Sequence, residues 1–423
     1  MDNRFLRLFD MSEEQAIALL DKPADELEED DVRYVAAAHL INFPTERSIA
    51  ALIRAVENTH PSLNNRITRR KAVETLGKLK VERAMPSIKQ CLQDSDRFTV
   101  ENAVNAIADI GTSDTQLMED IADLLVVEDK VSRTIIRVLS KLDYKPAIDR
   151  IRPYADSLEE PLYSAALSAL YKLNGETERV DRWLSLFQSP SVNSRRCSIQ
   201  DAIDSNYVAA IPAIARCPVS VVFRMRALRL LGAHGLESEQ LTVNELLTHL
   251  DLVVRDHPRN LELVHTYDRP PALDFLMREL FNTDFGRSYL AIQTVVEHHV
   301  EDAPTALLET YQGEASSDYG ANYHVLKTLG WLQHEPAYDK FLEALHQTLP
   351  QYQKSRTAAA IALGELGDSR AIPDLKSVLD SNIWGLQYGA LLALETLGDT
   401  EGARTLFDAD DVLLRSRAQQ IVN

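Results

Sequence analysis

Along most of this chain, apolar side chains return every three to four residues, the period of a helix with one buried face. In the segment "DVRYVAAAHL" (31–40) and the residue after it, Ala36, Leu40 and Ile41 fall on such a face. The same plan is written into "ITRRKAVETLG" (67–77), "VFRMRALRLLG" (222–232) and "KSRTAAAIALGELGD" (354–368). In each, an arginine precedes a leucine by seven residues with small residues between: Arg33 and Leu40, Arg69 and Leu76, Arg224 and Leu231, Arg356 and Leu363. Weaker copies begin near Arg97, Arg133, Tyr163 and Arg195, so successive copies lie about 28 to 36 residues apart. A period of that length built from paired amphipathic helices predicts an all-α solenoid of roughly a dozen stacked helical pairs, curved, with a concave groove for a ligand. The alanines, leucines and glycines are what packing such pairs requires, and the arginines read as partners in ion pairs between repeats.

The rhythm breaks once. Between about Leu241 and Phe281 no arginine-to-leucine copy is visible, and "RDHPRN" and "YDRPPA" are rich in turn formers. The expected organisation is an N-terminal cap over 1–25, a first array over 26–240, an irregular helical junction over 241–281 and a second array over 282–423.

Within the second array a shorter motif repeats in register. "SSDYGANYHVLKTLGWL" (316–332) aligns Asp318, Tyr319, Gly320 and Tyr323 with Asp284, Phe285, Gly286 and Tyr289, thirty-four residues earlier. Trp384, Gly385 and Tyr388 occupy the same places further on, while the repeat at Gln353–Thr357 lacks the motif. An aromatic residue and a tyrosine four apart share one stripe of a helix. At the start of a second helix, the glycine would open a slot beside two flat rings. Arg224, Arg226, Arg287, Lys327 and Arg356 would add cations, and Asp284 and Asp318 acceptors. Such a lining suits a large, flat, conjugated ligand with acid groups and N–H donors. The same rings would equally seal gaps between helices.

Composition narrows the field. The chain has 423 residues, only 15 glycines and a net charge of −19, which favours helix and argues against broad binding to a nucleic-acid backbone. No apolar run approaches the length of a membrane span, and "MDNRFLRLFDMSEEQ" carries early acids and no long apolar core, unlike a signal peptide. Cys91, Cys197 and Cys217 are odd in number and scattered, which points to a reducing, cytoplasmic setting. No phosphate-binding loop or H-E-x-x-H motif is present. His298 and His299 are adjacent, a poor chelate on a helix, so no metal is expected. Cys197 beside Arg195 and Arg196 reads as a small buried residue before it reads as a nucleophile.

The segments "DDVRYVAAAHLINFPTERSIAALIRAV" (30–56) and "NNRITRRKAVETLGKLK" (64–80) resemble the E/F clan of phycobilin lyases, helical-repeat enzymes with HEAT-like repeats. The single-chain format with "SSDYGANYHVLKTLGW" (316–331) is similar to their phycoerythrin-specific branch. The resemblance implies binding of a linear tetrapyrrole, commonly phycoerythrobilin, and its attachment through a ring A thioether to one cysteine of a phycobiliprotein subunit. It implies a phycoerythrin subunit as partner, in the first place the α-subunit. It also leaves open isomerisation to phycourobilin, and implies no cofactor, since the bilin is the substrate.

On that footing, Asp318 is the expected pyrrole N–H partner and Tyr319 or Tyr323 the proton donor. Arg287, Arg224 and Arg226 are the expected propionate clamps, and Tyr289, Trp384 and Tyr388 the stacking wall. His324 would assist or pack, and Gly320 would leave room for ring A. The alternative is a non-catalytic helical-repeat scaffold that holds a protein partner in its groove.

Overall fold

The computed structural model describes residues 11–23, 32–126 and 131–422. Among them are about 25 α-helices, short 3₁₀ turns and no strand. The chain divides into two compact units, Met1–Arg179 and Val180–Asn423. Of the expected cap, residues 1–10 and 24–25 lie outside the described residues, and Ser12 opens its helix Glu13–Asp21 with a reciprocal capping box to Gln15.

In both units a short first helix leads into a longer second one, and second helices of successive repeats pack side by side, as Leu63–Lys78 does on Arg97–Ile110 and Gln353–Leu366 on Trp384–Thr396. Glycine stands at two of these approaches. A Cβ on Gly77 would lie 2.7 Å from the Cα of Ala106, and one on Gly364 would lie 2.7 Å from the Cα of Ala393. Backbone cannot yield as a side-chain tip does. Gly364→Val should therefore cost about 1–3 kcal/mol, read as a lower urea midpoint of tryptophan fluorescence. An unchanged midpoint would show that the repeats slide apart freely.

The repeated arginine has a role the pattern alone did not define. Arg33 Nε donates to the Leu20 carbonyl at 3.0 Å, Arg69 Nε to Val56 at 2.6 Å and Arg356 Nε to Leu345 at 2.8 Å. Arg224 Nε donates to Val219 at 3.1 Å in the same way, and Arg195 donates to Ser189 through Nη1 at 2.6 Å. Each thus satisfies carbonyls left open where the preceding helix ends, groups that otherwise lack intrahelical partners. The expected ion pairs accompany this: Arg69 pairs with Asp94, Arg195 with Asp284 and Arg224 with Asp256.

The segment 241–281 lies inside the second unit. Its helix Val243–Arg255 starts from a Thr242–Glu245 capping box and ends at Asp256, in the left-handed region at φ 50°. An extended stretch follows, before the helix Leu273–Glu279. Val243–Arg255 packs against Val221–Glu237, Gln353–Leu366, Trp384–Thr396 and Val412–Val422. It is a post around which this unit's later helices close. None of the helices described is long and apolar enough to cross a membrane.

Candidate functional site

The recurring aspartates are helix caps. Asp284 Oδ1 accepts the Gly286 N–H at 2.9 Å, and Asp318 Oδ1 accepts those of Gly320 and Ala321 at 2.7 and 2.8 Å. Asp284 is further held by Arg195 and by His265, 2.9 Å away. The second oxygen of Asp318 has no hydrogen-bond partner among the described residues.

The motif tyrosines face the post. Tyr289 is fully buried and its hydroxyl donates to Asp256 Oδ2 at 2.8 Å, while the Tyr323 hydroxyl donates to the same oxygen. Arg224 lies against the other Asp256 oxygen and donates to the Tyr289 hydroxyl at 3.0 Å. Burial, then the Asp256 charge, holds both phenols protonated far above the usual tyrosine range. Tyr388 donates to Asp251 at 2.6 Å, and Arg417 pairs with the same carboxylate at 2.9 Å. Lys327 is buried and donates to the Arg255 carbonyl.

His324 is enclosed by rings: Phe285 at 4.4 Å, Tyr323 at 5.4 Å and Tyr289 at 5.6 Å between centroids. Neither of its nitrogens has a hydrogen-bond partner among the described residues, and burial keeps it neutral, its pKa well below the ordinary histidine value.

An open cleft runs beside this packed centre. It is lined by Val221, Val222, Met225, Val254, Tyr323, Lys354, Thr357, Ile383 and Gly385. Its free volume is about 110 Å³ and its lining is mostly apolar. A second hollow shares Val222 and Met225 with it and is lined further by Arg226, Arg229, Leu230, Ala233, Asp411, Val412 and Leu413, with Arg229 paired to Asp411 at 3.2 Å. Arg229 lies 4.5 Å over the Trp384 ring, which stacks on Tyr388 at 4.8 Å. Val222, Leu230 and Val412 keep more than two-fifths of their surface exposed here.

Of the expected residues, Tyr323 lines the cleft and Arg226 the second hollow, which Trp384 meets through Arg229. Tyr319 is exposed, its ring 5.0 Å from the Lys354 amine. Arg224, Tyr289, Lys327 and Tyr388 are buried behind it, Arg356 is half-buried, and Arg287 is exposed without lining it. The expected glycine slots need correction. A side chain on Gly286 would meet the Arg195 guanidinium at 3.1 Å and the Pro218 carbonyl at 3.3 Å, and one on Gly385 would meet Met225 at 3.2 Å. A Cβ on Gly320 would lie 3.1 Å from Asp318 Oδ1 and 3.7 Å from the Phe285 ring. These glycines admit neighbouring parts of the chain itself. Arg224 is likewise enclosed, with its guanidinium engaged by Asp256, Tyr289 and two carbonyls, which sets it in the support of the cleft.

No copy of the repeat and no motif in the sequence marks Asp251, Asp256 or Arg229. A signal existed for Lys354: it stands where the other repeats carry Gly286, Gly320 and Gly385.

Comparison with known proteins agrees with the repeat. A family model described as PBS lyase HEAT-like repeat matches residues 32–58, 68–94 and 355–381. The chain is 51% identical over 417 residues, 99% of each chain, to the "Uncharacterized phycocyanin operon protein Y" of Pseudanabaena tenuis (strain PCC 7409). It is 32% identical to the "Bilin biosynthesis protein CpeY" of Synechococcus sp. (strain WH8020), over 90% of this chain and 93% of that one. A "Phycocyanobilin lyase subunit alpha" of Nostoc sp. (strain PCC 7120) is 26% identical over 49% of this chain and 81% of its own.

Proposed function

We propose that this chain, which belongs to the E/F-type phycobilin lyase family of HEAT-like repeat proteins, binds a linear tetrapyrrole in the cleft of its second unit and joins it through a thioether to a cysteine of a phycobiliprotein subunit. The observation that carries this reading is the make-up of the cleft: an apolar trough with Lys354 in its lining, sharing Val222 and Met225 with a hollow that carries Arg226 and Arg229. A bilin is its chemical complement, a long conjugated body with two propionates. Charge-assisted bonds from Arg226 and Arg229 hold the propionates, in place of the enclosed Arg224. Trp384 supports the ring system from beneath Arg229. Asp318 offers its second oxygen to pyrrole N–H groups. Tyr319, exposed beside the cleft, is better placed than the Asp256-bound Tyr323 to give a proton to the carbon skeleton.

The finer assignment is phycoerythrobilin as ligand and the phycoerythrin α-subunit as acceptor, with isomerisation to phycourobilin as a further step. It rests on the resemblance carried by residues 316–331. The relative named for a phycocyanin operon makes phycocyanin subunits the necessary second arm of any test.

The test is co-production of this chain with bilin-synthesising enzymes and separate phycoerythrin and phycocyanin subunits, followed by absorbance and peptide mass spectrometry of each acceptor. A green-absorbing adduct on one cysteine is expected, and a shift to the blue would add isomerisation. If every acceptor matches its uncatalysed control, the chain is a scaffold. Arg229→Ala should weaken bilin retention about tenfold, the loss of one charged hydrogen bond, measured by absorbance titration. An unchanged affinity would remove Arg229 from the site.

A further inference from the structure

We propose that Lys354 is a catalytic residue of the attachment step, whose amine takes the proton from the incoming cysteine thiol. The assignment rests on the cleft being the bilin site. Lys354 lines the apolar part of that cleft beside Tyr323 and Thr357. Its amine lies 4.5 Å from the Phe285 ring centroid, 5.0 Å from Tyr319 and 5.2 Å from Tyr323. No hydrogen bond or ion pair engages it among the described residues, whereas Arg224 is closed off by Asp256 and Lys327 donates to the Arg255 carbonyl. An amine framed by three rings, on a residue that lines an apolar trough, is placed near whatever enters the trough.

The surrounding charges set its protonation. The helix Tyr319–Trp331 presents Tyr319, Tyr323 and the neutral His324, its cap supplies Asp318, and the post supplies Asp256, already matched by Arg224. Burial draws the amine down to about 8, and Asp318 and Asp256 oppose a further fall. A cysteine thiol ordinarily ionises near 8.5, so proton transfer between the two is almost balanced, the condition under which a general base works best.

The step closes on itself. The neutral amine removes the S–H proton and becomes an ammonium. The thiolate sulfur adds to the double bond at ring A, forming the C–S bond as the π electrons move into the conjugated skeleton. A proton then reaches a skeleton carbon, from the ammonium or through Tyr319. The sum is addition of a thiol across a double bond, with no leaving group and no change of redox state.

Purified full-length chain, bilin and acceptor subunit would be compared for the wild type, Lys354→Arg and Lys354→Met. Bilin affinity is read by absorbance titration and adduct formation by single-turnover kinetics between pH 6 and 9.5. Both variants should bind bilin within about threefold of wild type and attach it on the order of 10²-fold more slowly at pH 7. The wild-type rate should level off above pH 8, and the variants' rates should keep rising as the thiol ionises unaided. Lys354→Arg at the wild-type rate would overturn the proposal, because a fixed cation would then suffice. So would loss of bilin binding in Lys354→Met restored by Lys354→Arg, which would make the residue a carboxylate anchor. If Lys354→Met does not fold, Lys354→Arg alone decides. A wild type that binds bilin but attaches none to any acceptor would refute the lyase reading, and the proton-transfer role with it.

Discussion

Asp256→Ala is expected to destabilise the second unit by on the order of 3 to 5 kcal/mol, the cost of removing one partner from a buried ion pair. Arg224 and Asp256 are both fully enclosed, so the guanidinium left behind has no water to turn to. The loss extends beyond one pair, since the Tyr289 and Tyr323 hydroxyls lose the same acceptor. All three tryptophans, Trp183, Trp331 and Trp384, belong to the second unit, so tryptophan fluorescence in urea reports this unit alone. Adding Arg224→Met to Asp256→Ala should recover part of the loss, because an orphaned charge costs more than an apolar side chain in its place. If Asp256→Ala unfolds at the wild-type midpoint, the post does not depend on this junction.

The second large effect is acid sensitivity centred on His324. Its folded-state pKa lies well below 6.5 because burial among rings disfavours the imidazolium. Below pH 6.5 the unfolded chain takes up a proton that the folded chain refuses. The stability it contributes is therefore whole above 6.5 and is lost as pH falls toward the folded value, at up to about 1.4 kcal/mol per pH unit. Burial also lowers His257 and His249, with the same sign. The difference between wild type and His324→Leu isolates the one residue. Urea midpoints between pH 7.5 and 5 should converge or cross as the wild type falls faster, and parallel curves would mean that His324 already carries a proton partner.

The solenoid was legible because its repeat is spelled in residue types with few substitutes. The glycines at 77 and 364 face alanines at van der Waals range, and the arginines at 33, 69 and 356 reach helix-end carbonyls that little else would satisfy. The motif of aromatic, glycine and tyrosine was legible too, but its destination was not. Periodicity tells which side of a helix Tyr289, Tyr323 and Tyr388 occupy. It cannot tell that the chain's own helix Val243–Arg255 would meet them there with Asp256 and Asp251, because that helix carries no copy of the repeat. For the same reason neither Lys354 nor Arg229 stands out: Lys354 departs from the glycine of its repeat, and the placement of both depends on how the later helices close around the post.

That post also separates two kinds of time. An arginine reaching back 11 or 13 residues can make its bond while the chain is still being synthesised, one repeat after another. Asp251 must wait for Tyr388, 137 residues later, and for Arg417, 166 residues later. The nascent protein thus emerges with its repeats formed while Asp251 still waits for the partners that Trp384–Thr396 and Val412–Val422 bring. Quality control inside the cell would then see an unfinished molecule until the helix Val412–Val422 has joined the post, and loss of that helix alone should mark an otherwise ordered chain for degradation.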